Sequence, residues 1–171
     1  MPSFKLGTND IPSSREPIDL HPELQKRRVD LFALYKAKYP DASQPFLTQT
    51  YRNPEDQNTD FEKKPKVTNA RAGQSLHNYY PSLAFDVAFI KSDGKTLDWN
   101  HSLFDNLGAL AQSVDLNWGG SWTSFQDRPH FQPLNGGNIY SWHLAQEGRE
   151  PVWGTYTQPV PATPPASPNE A

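Results

Sequence analysis

The run LAFDVAFI, residues 83 to 90, alternates in the two-residue period of a β-strand and sets an aspartate inside it. Carboxylates are rarely buried unless they are paired or bind a metal, so a strand here obliges the fold to bring Asp86 a partner. SDGK, residues 92 to 95, is a turn signal that closes a hairpin toward TLDW.

Helical periods flank this strand. In HPELQKRRVDLFALYKAKYP, residues 21 to 40, Pro22 suits a first turn, Leu24, Leu31 and Tyr35 share one face, and Pro40 ends the helix. PFLTQTY (45 to 51) has strand composition, and RNPEDQ after it is turn-forming or opens a short helix. Residues 58 to 74, polar and broken by Pro65 and Gly73, read as a long surface loop. Between Asn100 and Ser113, Leu103, Leu107, Leu110 and Ala111 recur at helical spacing, with Asn100 or Ser102 as cap. LNWGGSW and RPHFQP look like short strand ends around a glycine turn, which brings polar residues to a sheet edge.

A chain of 171 residues fits one domain with a core of useful size. Only 35% of residues are hydrophobic, but five Trp, seven Tyr and nine Phe provide large apolar surfaces, so few core positions suffice. Periodicity alone gives only a domain of mixed helix and strand; the fold expected is α+β, a small antiparallel sheet with two helices packed on one face. That domain is expected to occupy residues 1–150. Residues 151–171 hold six of the 17 prolines and almost no aliphatic side chains, and read as a polyproline-like or disordered tail.

A net charge of −3 lacks the positive excess of a dedicated nucleic-acid binder. With no cysteine, disulfides and thiolate metal sites are excluded, so any metal must be held by His, Asp or Glu. MPSFKLGTND has no basic segment followed by an apolar run, and nothing approaches the ~20 apolar residues of a membrane span. The expectation is a soluble product made in the cytoplasm without a Sec signal or membrane insertion.

The chemistry concentrates in two stretches. His77 precedes the Asp86 strand in a loop with Ser75 and Asn78, and a chain return could bring its ring to that carboxylate; a solvated or core-satisfied loop histidine is the plainer alternative. In WGGSWTSFQDRPHFQ, Asp127 stands three residues before His130 with Pro129 restricting the backbone between them. A histidine ligand with a nearby carboxylate suits a catalytic metal, the carboxylate taking a proton from bound water. His77, Asp86 and His130 make the three N/O ligands of a zinc that keeps one position open. The alternative pairs Asp127 with Arg128 on the surface and gives His130 a backbone carbonyl.

Four blocks in order, TYRNPEDQ, AGQSLHN with LAFDV, WGGSW and DRPHFQ, running from about Gln49 to Gln132, resemble those of the M15 zinc peptidases. That family includes bacterial D-alanyl-D-alanine carboxypeptidases and phage endolysins of the L-alanyl-D-glutamate peptidase type. The resemblance implies the same α+β architecture, an M15/hedgehog-like fold with the zinc site at the sheet edge, Zn²⁺ on His77, Asp86 and His130, and Asp127 as general base toward the zinc-bound water. It implies that Arg52, whose planar fork suits a carboxylate, binds a substrate carboxylate or stabilises the oxyanion. A surface pair with Glu55 or Asp56 is the alternative for Arg52. The step of nine from His77 to Asp86 is two longer than the family's usual spacing and contains no glycine, which implies two extra residues in the ligand-bearing loop. Tyr79 and Tyr80 there either line the cleft or pack.

By this resemblance the chain is a monomeric, phage-type endolysin: a metallopeptidase hydrolysing the L-Ala–D-Glu bond of the peptidoglycan stem peptide after holin-type release to the cell wall. A D-Ala-D-Ala or L,D-carboxypeptidase is the alternative within the reaction class. A zinc-containing binding or virion structural protein is the alternative outside it; the carboxylate of Asp127, which a structural zinc does not use, argues against it. Capping, packing or exposure accounts for His21, His101 and His143. Trp118, Trp122 and Trp142 read as core or cleft wall, and Ser75 as a donor that orients His77.

Overall fold

The computed structural model describes residues 3–134 and 141–157. In chain order the elements are β1 (Lys5–Leu6), α1 (Pro22–Lys38), β2 (Gln44–Gln49), α2 (Pro54–Phe61), β3 (Tyr79–Tyr80), β4 (Phe85–Ile90), α3 (His101–Ala109), β5 (Leu116–Trp118), β6 (His130–Pro133) and α4 (Ser141–Gln146). β2, β4, β6 and β5 form one antiparallel sheet in that order, and β1 pairs with β3 in a second, two-stranded sheet. This is the expected α+β architecture; among the described residues α2, which RNPEDQ opens, and α4 add to the two helices that periodicity indicates.

Local chemistry explains the helix starts. Pro22 stands at the first position of α1, where its missing N–H is no loss, and His21 Nδ1 accepts from the Glu23 amide at 3.1 Å. Leu24, Leu31 and Tyr35 then form a fully buried stripe, each contributing about 1.5–3 kcal/mol by leaving water. Asn53 caps α2 through the Asp56 amide at 2.9 Å, and Asn100 caps α3 through Ser102 at 3.1 Å. α2 runs through Phe61, so the segment expected to be loop from residue 58 is helical for its first turn. α4 carries Trp142 and His143, in a stretch where periodicity gave no helix.

The hairpin after β4 closes as its turn signal requires. Lys91 N donates to Thr96 O at 2.8 Å, Gly94 takes the left-handed φ of 69°, and Asp93 Oδ1 accepts from the Lys95 and Thr96 amides, each at 2.8 Å.

Strand alternation divides the four-stranded sheet into two faces. Phe85, Val87 and Phe89 of β4 and Phe131 of β6 enter one core with Leu24, Leu31 and Tyr35 of α1 and Leu103, Phe104 and Leu107 of α3. Phe85 and Phe131 are register partners whose rings stack at 5.3 Å. The next pair in the same register is Asp86 opposite His130, on the other face. A smaller core of Phe4, Leu76, Tyr79, Leu83, Ala84 and Ala145 lies around the two-stranded sheet.

Residues 151–157, expected to open the proline-rich tail, lie against α1. Val152 bridges Leu134, buried Arg27 donates to Trp153 O at 2.6 Å beneath the Trp153 and Tyr156 rings, and the Tyr156 hydroxyl donates to Asp30. These contacts explain the burial of Arg27 and Asp30 on α1. Residues 158–171 of the expected tail lie outside the described residues.

Candidate active site

The polar face of the sheet opens into a cleft of about 960 Å³ lined by Arg52, His77, Asp86, Asp127 and His130 among others. Asp86 reaches it because β4 alternates, and His130 because β6 pairs with β4 in register. His77 comes from the turn Leu76–Asn78, held by a reciprocal cap in which Ser75 Oγ accepts the His77 amide at 3.2 Å. Ser75 therefore fixes the backbone of His77, while the ring is oriented by a group with no side-chain signature: His77 Nδ1 donates to the Thr50 carbonyl at 2.7 Å.

That bond decides the tautomer. A carbonyl only accepts, so Nδ1 carries the proton and the Nε2 lone pair of a neutral His77 points into the site. At His130 the roles of the nitrogens are reversed: Nε2 donates to Gln132 Oε1 at 2.7 Å, leaving Nδ1 inward. His77 Nε2, His130 Nδ1 and Asp86 Oδ1 then stand 3.1–3.2 Å from one another. Three lone-pair donors so close repel unless a cation joins them, and an N,N,O set of this kind suits zinc.

The electrostatics agree. Burial disfavours charge on Asp86, but the two histidines and their hydrogen bonds outweigh it and hold the carboxyl well below the usual carboxylate range. Burial lowers His77 despite the neighbouring Asp86. Burial also opposes charge on His130, yet the hydrogen bond and charge of Asp86 and the charge of Asp127 outweigh it and raise its pKa.

Asp127 follows a tight turn, Gly119–Ser121, whose Gly119 carbonyl accepts the Asp127 amide at 3.0 Å. A Cβ on Gly119 would lie 2.4 Å from the Asp127 carbonyl oxygen, so only glycine admits this approach. Burial, then the charge of Asp86, push the Asp127 carboxyl up to about 6 against the opposing His130 and Arg52. Such a group exchanges protons near neutral pH. The surface pairing of Asp127 with Arg128 does not form; Arg128 Nε reaches Asp105 Oδ1 at 3.3 Å, and the side-chain partner of His130 Nε2 is Gln132 where a backbone carbonyl was the alternative.

Arg52 extends from the end of β2 into the cleft. Its Nη2 lies 3.6 Å from Asp86 Oδ2, its Nε 3.4 Å from Asp60 Oδ2, and its Nη1 donates to Gln57 Oε1 at 3.1 Å. Neither Glu55 nor Asp56 is its partner, which corrects that alternative. Fully buried Gln57 also accepts from Asn78 Nδ2 at 3.1 Å, beside His77.

Tyr79 and Tyr80 pack: they pair with β1, and the Tyr80 hydroxyl donates to Asp19 at 2.8 Å. Tyr79 and Tyr80 thus belong to the second sheet and do not line the cleft. Trp122 and Trp142 line the cleft, and Trp118 packs against the main core. His21 caps α1 and stacks on Trp153; His101 and His143 lie outside the cleft. Sequence reasoning missed Thr50, Gln57, Asp60 and Gln132. Only Gln132 left a usable signal, since two residues after His130 on a strand is the same face.

A family model described as D-alanyl-D-alanine carboxypeptidase, of the M15 peptidases, matches residues 68–133. Over 132 residues the chain is 32% identical to the peptidoglycan L-alanyl-D-glutamate endopeptidase CwlK of Bacillus subtilis (strain 168), covering 69% of this chain and 75% of that protein. Over 74 residues it is 35% identical to the L-alanyl-D-glutamate peptidase of Listeria phage A118, covering 42% of this chain and 26% of that one. The crystal structure of the Serratia marcescens L-Ala D-Glu endopeptidase ChiX shares the fold, with a TM-score of 0.50 at 19% identity over 69% of this chain and 83% of that one. With three quarters of CwlK matched and the histidine–aspartate–histidine cluster in one cleft, the chain belongs to the M15 peptidase family.

Proposed function

We propose that the protein is a zinc-dependent peptidoglycan peptidase that hydrolyses the L-Ala–D-Glu bond of the stem peptide, with His77, Asp86 and His130 holding the metal and Asp127 as general base. The observation that carries the reading is the inward convergence of His77 Nε2, His130 Nδ1 and Asp86 Oδ1 in the cleft that Asp127 also lines. Bound zinc supplies a Lewis acid for the scissile carbonyl and makes water more acidic. Asp127, with its raised pKa, takes a proton from the attacking water and returns it to the leaving amine. Arg52 lies 3.6 Å from Asp86 Oδ2 and adds fixed positive charge to the cleft, which would favour an oxyanion formed there. Action on the cell wall accords with the phage relative, and holin-type release from a host cytoplasm belongs to the same proposal.

Purified peptidoglycan incubated with the protein, with and without a chelator, tests this by mass spectrometry. Chelator-sensitive fragments with new D-Glu amino termini are expected. Loss of a single terminal D-Ala instead would transfer the assignment to the carboxypeptidase activity in the matching family model's description. Asp127→Ala should retain metal by elemental analysis and lose turnover; normal hydrolysis by it removes Asp127 as base.

A further inference from the structure

The cleft has a basic rim that the metal chemistry does not use. Between Glu62 and Gln74 the chain carries Lys63, Lys64, Lys66 and Arg71 against one carboxylate, Glu62, in a chain whose total charge is −3. Lys63 is neutralised by Asp60 at 2.7 Å. Lys66 and Arg71 have no carboxylate partner among the described residues, and both lie over the Phe61 ring, Nζ at 5.3 Å and Cζ at 4.7 Å from its centroid. A ring face restrains a cation while leaving its charge for another ligand. The two bracket residues 67–70, which line the cleft.

This loop is tied to the site. Gln57 Nε2 donates to Ala70 O at 2.7 Å, Asn58 Oδ1 accepts the Ala72 amide at 2.8 Å, and Gln74 Oε1 accepts the Arg71 amide at 2.8 Å. The same Gln57 holds Arg52 and Asn78, so the rim and the reacting groups share one buried hub. Arg52 itself is surrounded by Asp60, Asp86 and Gln57. The cations free for a substrate anion are therefore those of the rim.

We infer that Lys66 and Arg71 form a specificity rim that recognises the free carboxylates of a peptide stem near the bond to be cut. The inference rests on the peptidoglycan reading above. A stem whose glutamate keeps its carboxylate fits this rim; one amidated there presents a neutral group and loses the attraction.

The test compares the metal-loaded full chain with its Lys66→Gln/Arg71→Gln variant on synthetic stem peptides that are carboxylated or amidated at glutamate. Both substituted side chains are exposed, and an unchanged Tm verifies folding. Wild type should show a KM about fivefold lower for the carboxylated stem, and the variant should lose that preference with kcat unchanged. About 1 M salt, where the Debye length is roughly 3 Å, should erase it in wild type. Calorimetry with the corresponding carboxylated and amidated product fragments reads binding without turnover. If wild type cuts neither stem, the peptidase reading fails while the fragments still decide the rim. Equal affinity for both fragments, or a preference retained by the variant, overturns the inference. Competition by poly(glycerol phosphate) as strong as that by the carboxylated fragment overturns it too, by moving the partner to a phosphate-bearing wall polymer.

Discussion

The two faces of the β4–β6 ladder are built from adjacent residues and obey opposite rules. On the helix-covered face Phe85 stacks on Phe131, fully buried and apolar. One residue along, Asp86 meets His130 in a triangle of lone pairs. The first face lowers free energy by excluding water; the second concentrates unfavourable charge that a cation must offset. Stability and chemistry are thus separated by a single step along each strand, and the rigid apolar face fixes the geometry of the reactive one.

Substitutions on each face can break this contrast. The largest effect is expected at Asp127. Asp127→Asn should lower kcat by roughly 10²- to 10⁴-fold, measured on purified peptidoglycan. It should also stabilise the metal-free protein. With the carboxyl raised from 3.8 to about 6, folding favours its protonated form, so its penalty is absent below the lower value, grows through that interval and is full above it. Two pKa units correspond to about 3 kcal/mol, the upper limit of the gain at neutral pH in chelator-treated urea melts. An unchanged melt would show that the half-buried carboxylate is not under strain.

On the opposite face, Phe131→Ala removes a fully buried ring and should destabilise by about 3–5 kcal/mol in denaturant titrations, with loss of activity following loss of fold. A well-folded but inactive product would mean that the two faces are less separable than their register indicates.

Gln132→Ala sharpens the comparison from the polar side. It leaves the core intact and removes the acceptor that keeps His130 Nδ1 inward, so metal affinity should weaken about 10–100-fold in competition with a chromogenic chelator while Tm of the metal-free protein barely moves. Equal metal affinity would show that the ring is held by its packing.

The smallest effect belongs to the turn beyond β4. Hydrogen bonds from the Thr96 side chain, the Thr96 backbone and the Lys95 backbone hold exposed Asp93 at about 2. Its contribution is present above the ordinary value of 3.8 and lost as pH falls through about 2, so Asp93→Ala should lower Tm slightly at pH 7 and lose that difference in strong acid. A constant difference down to pH 2 would exclude the carboxylate as its source.

Much of this division could be read in the chain. Period-two alternation announces β4 and makes Asp86 the exception to be explained, and a 3.6-residue period marks the buried stripe of α1. Caps at His21, Asn53 and Asn100 act within a few residues, so local chemistry foretells where the helices begin, though not that α2 would persist to Phe61 or that Trp142 would lie in a helix. The spacing of His77, Asp86, Asp127 and His130 marks them as candidates because side-chain type is written in the sequence.

Tertiary structure decided what those groups face. The Thr50 carbonyl that selects the tautomer of His77 belongs to every residue type and leaves no trace in a sequence. The Gln57 hub joins Arg52, Asn78 and Ala70 across up to 21 positions, and Arg52 finds Asp60 and Asp86 where proximity in sequence indicated Glu55 or Asp56. Periodicity fixes the side of a strand or helix on which a residue stands, because it is a property of the backbone. Which groups meet across the cleft depends on register, burial and charge summed over distant segments, and these exist only once the chain has folded.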